Sequence, residues 1–231
     1  MFNLKNRYLL VNTLLILSCV FLAPLVTLAK PFSIARVHYN GGGDWYSDPS
    51  SLVNLLAFYH QEIGTLTSDK EINIKITDSD FSRYPYLYLT GHGNISLSDT
   101  EVEKLRMHLL AGGFLHVDDN YGLDKSFRRE LKKVFPYKKL VEIPFSHPIY
   151  SILFPFPNGL PKIHEHDGLP AQGYGIIHEG RLVLFYTYQC DLGDGWEDLE
   201  VHQLPEEKHL SALKMGANIL AYALSGMEKM P

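Results

Sequence analysis

The mature part of the chain reads as strand, helix, strand, repeated. Residues 33–39 form a first predicted strand, ended by Gly41-Gly42-Gly43. Asp48 then sits where a helix cap is expected, with Pro49 at the first helical position. Leu52, Leu56, Tyr59 and Ile63 recur at spacings of four, three and four, one face of a helix. Residues 72–76 alternate as a strand, and residues 86–90 are a short apolar-aromatic strand that stops at Gly91-His92-Gly93. Ser98 and Glu101 spell a capping box, Val102, Leu105 and Leu109 give the buried stripe behind it, and Gly112-Gly113 ends that helix. Residues 114–117 are a strand running into Asp118-Asp119, followed by a basic amphipathic helix near 124–135 and a short strand at 140–143. Prolines then punctuate a loop-rich stretch. Residues 174–178 and 181–188 flank Glu179-Gly180 as a hairpin, and Leu210, Leu213, Ala217, Leu220 and Leu224 mark a final helix expected to stop at Gly226.

Strands alternating with helices imply a parallel sheet covered on both faces, and the hairpin implies some antiparallel structure at one edge. Parallel crossovers put all strand carboxyl ends on one edge, where open α/β sheets bind ligands. Four loops predicted at that edge are rich in glycine, acid and aromatic residues: 41–46, 91–94, 118–122 and 191–197. Both tryptophans, Trp45 and Trp196, lie in them. Gly, Asp and Asn are also the ordinary turn residues, so any one loop reads as a turn; the four together read as a site. The ligand contacts expected there are Gly42, Gly43, Asp44, Trp45, Tyr46, Gly91, Gly93, Asn120, Tyr121, Asp191, Trp196 and Glu197.

Asp118 and Asp119 are the candidate catalytic or metal-binding carboxylates, with His92 as an acid or oxyanion partner. Adjacent strand residues face opposite ways, so one can meet the site while the other caps the next turn. His164 and His166 would share a side of an extended segment and could bind a metal, but no third ligand follows from spacing and a solvated loop is the favoured reading. The segment 191–198 lacks the alternating ligands of a calcium hand. There is no G-x-S-x-G elbow and no phosphate-binding P-loop. Cys190 reads as a small buried residue rather than a nucleophile. No cofactor can be named from the sequence.

The first 29 residues read as a signal peptide: Lys5 and Arg7, an apolar run over 8–28, then small residues at 27 and 29. An uncleaved membrane anchor and lipid attachment at Cys19 are the rival readings. All three place the domain outside the cytoplasm, in the periplasm or cell envelope, touching a membrane only through that segment. Of 231 residues with net charge −5, this leaves one α/β domain over 30–231 carrying 19 basic against 26 acidic residues. That balance argues against a nucleic-acid partner. With one cysteine left, the domain must be stable through its core.

The string from Arg36 to Tyr46, Leu89-Thr90-Gly91-His92-Gly93, the string from Gly112 to Asp119, and Gly195-Trp196-Glu197-Asp198 resemble the blocks of a bacterial family known as domain of unknown function 4159. The resemblance spans nearly all of the mature chain. It implies a flavodoxin-like three-layer sandwich similar to class I glutamine amidotransferases and the trehalose-utilisation family. Where those relatives present a cysteine nucleophile, this chain has Asp118 and Asp119, which puts amidotransferase chemistry in doubt. Three functions follow as expectations: a module binding a polar small molecule or glycan, a metal-assisted or carboxylate-based hydrolase, and a protein-interaction domain for an envelope partner.

Overall fold

The computed structural model describes residues 30–227, of which 31–227 lie in the compact unit that begins at Pro31. The signal-peptide, anchor and Cys19 readings lie outside the described residues. Seven strands form one sheet in the order β2-β1-β3-β4-β7-β6-β5. They are β1 Ala35–Val37, β2 Ile72–Ile74, β3 Tyr86–Leu89, β4 Phe114–Asp118, β5 Val141–Glu142, β6 Gln172–His178 and β7 Arg181–Tyr188. The pairs β1/β2, β1/β3, β3/β4 and β4/β7 are parallel; β6 runs antiparallel to both β7 and β5. The molecule is thus an α/β sandwich on a mostly parallel sheet with a C-terminal antiparallel hairpin.

Side-chain alternation divides the core into two layers. Tyr86 and Tyr88 of β3 and Phe114 of β4 pack with helix α1 (Ser51–Ile63) and the last long helix, α6 (Glu206–Met227). Leu87, Leu89, Leu115 and Val117 pack on the other face, with α2 (Asp99–Leu110) and α3 (Asp124–Val134). The predicted capping box is present: the Ser98 hydroxyl accepts from the Glu101 N–H, and the Glu101 carboxylate accepts from the Ser98 N–H. Val102, Leu105 and Leu109 are buried as the stripe requires, each adding about 1.5–3 kcal/mol.

Several expectations needed correction. Asp48 does not cap α1. It lies in the left-handed region (φ 56°), and the cap comes from Glu197, whose Oε1 accepts from the Ser50 N–H at 2.8 Å and the Ser51 N–H at 3.0 Å. Gly226 does not stop α6, which runs to Met227. The 191–198 stretch is not a plain loop: Leu192–Trp196 form a short helix, α4, and Leu199–His202 another, α5. Gly193 and Gly195 disfavour a helix by propensity, but tertiary packing requires them. A Cβ at Gly195 would lie 2.4 Å from Ala212 Cβ. Among the described residues, no helix is long and apolar enough to cross a membrane.

Candidate functional site at the carboxyl edge

The strand order reverses at β1, which is flanked by β2 on one side and β3 on the other. The loops leaving β1 and β3 meet there and bind each other. Gly43 N–H donates to Asn94 O at 3.0 Å, and Tyr39 OH donates to Thr90 O at 3.1 Å. Asp44 accepts from the His92 backbone N–H and contacts His92 Nδ1 at 3.0 Å. A Cβ on Gly43 would lie 2.6 Å from His92 O, and one on Gly91 2.5 Å from Tyr39 OH. These glycines allow loop to meet loop; only at Gly42, of the loop glycines 42, 43, 91 and 93, would a Cβ meet open space. Trp45 stacks on His38 at 4.1 Å and meets the exposed Tyr46 edge-on, so this aromatic pair belongs with His38.

The carboxylates gather one step along the edge, beyond β4 and β7. Asp118 is fully buried. Its oxygens accept from the Thr187 hydroxyl, from Gly193 N–H at 2.6 Å and from Tyr88 OH at 3.5 Å. A hydrogen-bond chain feeds this group. Tyr86 OH reaches His116 Nδ1 at 3.2 Å, and His116 Nε2 reaches the Thr187 hydroxyl at 3.1 Å. The Thr187 hydroxyl also reaches Val117 O at 3.2 Å, so with its single proton on either of these partners its oxygen can accept from His116 Nε2 while Nδ1 accepts from Tyr86. Burial lowers the His116 pKa to about 3, so the ring is neutral, and burial pushes the Asp118 carboxyl well above its usual range.

Asp119 points the other way. Its Oδ1 accepts from Leu123 N–H at 3.1 Å, and its Oδ2 is buried without a hydrogen-bond partner. Asn120 ties three segments together: its Nδ2 donates to Asp48 Oδ2 at 2.6 Å, and its Oδ1 accepts from Thr90 at 3.1 Å. Asp48, unassigned in the sequence beyond its cap role, is thereby a member of the site. Burial and the neighbouring Asp194 raise its pKa to about 7. Asp191, also left-handed (φ 55°), contacts His166 Nε2 at 2.6 Å through Oδ2, while Oδ1 is buried and unpartnered. Burial, then Asp194 and Asp119, raise its pKa to about 8. Tyr121 stacks on His166 at 4.3 Å and is exposed.

The two histidines of the 164–167 segment separate. Their ring centroids stand 6.4 Å apart, nearly perpendicular. His166 goes to Asp191, whereas His164 Nδ1 lies 2.7 Å from Asp194 Oδ2, with His202 Nε2 3.7 Å from Asp194 Oδ1. Burial lowers the His164 pKa, helped by His202, His166 and Lys208, and burial raises that of Asp194. The short separation is therefore a close approach between groups that burial biases towards neutrality.

Of the expected residues, Asp118, Asn120, Tyr121 and Asp191 come together. His92 and Asp44 form their own pair nearby. Trp196 is fully buried, its Nε1 donating to Ala212 O at 2.8 Å, and Glu197 is engaged as the cap of α1. Neither offers a ligand its side chain; they hold the loop from behind. Asp48, Gly193, Asp194 and His202 are not among the site residues the sequence predicts. The spacing of Asp191 and Asp194 within one turn was the available signal, but their partners lie tens of residues away. Cys190 is buried, its Sγ donating to Pro161 O at 2.8 Å, and burial pushes its thiol pKa well up. A separate concavity of about 500 Å³ lies at the opposite edge, lined by Phe81, Pro85, His108 and Gly113, and touches none of these groups.

Among the described residues, six non-glycine residues have positive φ, and five of them, Asp48, Tyr121, Gln189, Asp191 and Gln203, flank this cluster. Strained backbone concentrates where a fold must aim particular side chains. Among the described residues, no Lys or Arg forms an ion pair with Asp48, Asp118, Asp119, Asp191 or Asp194. The protein is thus an α/β domain carrying an acidic, histidine-rimmed cluster at the carboxyl edge of its sheet. It belongs to the family described as domain of unknown function (DUF4159), which matches residues 33–224. No curated protein matches the chain.

Proposed function

We propose that this is an exported, envelope-located binding domain that takes a hydroxyl-rich small molecule or glycan at the carboxyl edge of its sheet. The observation that carries the reading is the buried, unpartnered Asp191 Oδ1, on a carboxyl whose other oxygen meets His166, the ring on which the exposed Tyr121 stacks. A buried carboxyl oxygen without a hydrogen-bond partner costs about 1–3 kcal/mol, which a ligand hydroxyl, able to donate or accept, recovers. The aromatic ring offers an apolar face to a sugar, and the lack of a paired Lys or Arg disfavours a phosphate or carboxylate ligand. The order β2-β1-β3-β4-β7 supports the flavodoxin-like, amidotransferase-like resemblance. The buried Cys190 and the Asp118-Asp119 strand end support the absence of amidotransferase chemistry.

The test is ligand-observed NMR with a panel of neutral glycans and polyols. Binding that weakens at least tenfold in Asp191→Asn and in Tyr121→Ala supports the reading. No binding by any of the panel, or binding indifferent to both substitutions, overturns it. A carboxylate-based hydrolase is the second reading. The Asp191–His166 contact favours it, because an acid with a pKa of about 8 can exchange protons near neutrality. Turnover of a panel member, lost in Asp191→Asn, would select it over simple binding.

A further inference from the structure

We infer that His164, Asp194 and His202 form a binding site for one zinc-class divalent metal ion. One ligand atom from each lies within 4.8 Å of the other two. They come from three separate pieces of chain: the loop before β6, helix α4 and the end of α5. Four-coordinate zinc at bonds of about 2.0–2.1 Å sets its ligand atoms about 3.3 Å apart. His164 Nδ1 lies 2.7 Å from Asp194 Oδ2 and His202 Nε2 3.7 Å from Asp194 Oδ1, one imidazole beside each carboxylate oxygen. Small side-chain rotations bring these close-set donors to that spacing as a ligand set.

The donors choose the ion. Two imidazoles and one carboxylate suit zinc and its neighbours in the first transition row, whereas calcium and magnesium take oxygen ligands. The surroundings hold the donors in place. Lys208 Nζ donates to Ile163 O at 3.0 Å, and Ile163 N–H donates to Cys190 O at 3.0 Å, fixing the backbone beside His164. The three side chains are 28%, 15% and 27% exposed, so protein covers one side of the ion and solvent reaches the other. Three protein ligands and an open position are the arrangement of zinc sites that bind a water or a substrate group. The inference uses neither Asp191 nor Tyr121 and stands apart from the glycan reading.

The test uses the full-length chain stripped with chelator and dialysed. Zinc alone is titrated calorimetrically, bound metal is counted by elemental analysis, and cobalt(II) reports coordination by its visible absorption. One zinc per chain is expected, with an intense cobalt spectrum of low coordination number. His164→Gln and His202→Gln should each weaken zinc at least tenfold, while His178→Gln, in the hairpin at the opposite edge, should not. Circular dichroism checks that each variant is folded. No stoichiometric zinc, zinc held equally by the two ligand variants, or a preference for calcium over zinc would overturn the site. Glycan binding measured on the zinc-free chain separates failure here from failure of the ligand reading.

Discussion

Replacing Glu197 by alanine removes a carboxylate that is 3% exposed and caps α1 across 147 residues of sequence. A hydrogen bond to a charged group contributes about 1.5–3 kcal/mol. Two are lost, but unequally. Ser51 N–H keeps Asp48 O at 3.2 Å as a second acceptor, whereas Ser50 N–H, half-buried, must turn to water. The expected cost of Glu197→Ala is therefore about 2–3 kcal/mol, and in a domain of this size about 4–12 °C in Tm. Glu197→Gln keeps the acceptor oxygen and loses the charge, which halves such bonds, so about 1 kcal/mol is expected. Urea unfolding at neutral pH with an unchanged m-value measures both. Placing Glu197 among the ligand contacts, as the sequence suggests, predicts the opposite: binding lost with stability intact. An alanine variant within about 0.5 kcal/mol of the parent would refute the capping account.

Gly193→Ala places a Cβ 2.5 Å from Asp48 Oδ2 and 2.8 Å from Tyr88 OH, so a loss of about 1–3 kcal/mol is expected, together with weaker ligand binding. Unchanged unfolding would show that the carboxylates are not packed on this backbone. Asp48 and Asp191, with pKa values of about 7 and 8, hold protons in the folded state that the unfolded chain releases near pH 4. Stability should thus fall as pH rises through 6.5–8, by about 2 kcal/mol in chelator, and the Asp48→Asn/Asp191→Asn double variant should flatten the curve. His116, lowered to about 3, acts only below about pH 6.5, where its neutral form is progressively disfavoured in the unfolded chain and stability is lost on acidification. A flat profile from pH 6.5 to 8 in the parent would contradict the buried acids. Iodoacetamide should leave Cys190 unmodified in the native protein and label it after unfolding, as read by peptide mapping.

Local chemistry made α2 legible in the sequence, because Ser98 and Glu101 cap it from within four residues and its stripe buries as spaced. The sheet was legible through the alternation of strands and helices, although β1 is only three residues long, against the seven its pattern suggests. What stayed hidden was set by distant partners. Asp48 looks like a cap because Asp-Pro precedes a helix, yet Asn120 and Asp194 claim its side chain. The glycines at 193 and 195 look like loop, yet packing against Asp118 and Ala212 winds them into α4. His164 lacked a third ligand by spacing because its partners, Asp194 and His202, are brought in by α4 and α5. The placement of Asp118, Asn120, Tyr121 and Asp191 at one edge followed from topology, which needs only the order of elements.

The cap on α1 also bears on when the site comes into being. Chains are made from the amino end, and early segments fold as soon as they can. Here Ser50 and Ser51 wait for Glu197, Asp48 waits for Asn120 and Asp194, and His164 waits for His202. A nascent chain that has already completed β1 to β4 still holds Asp118 without the Gly193 amide that receives it. The acidic cluster is therefore complete only once the chain has been made as far as His202.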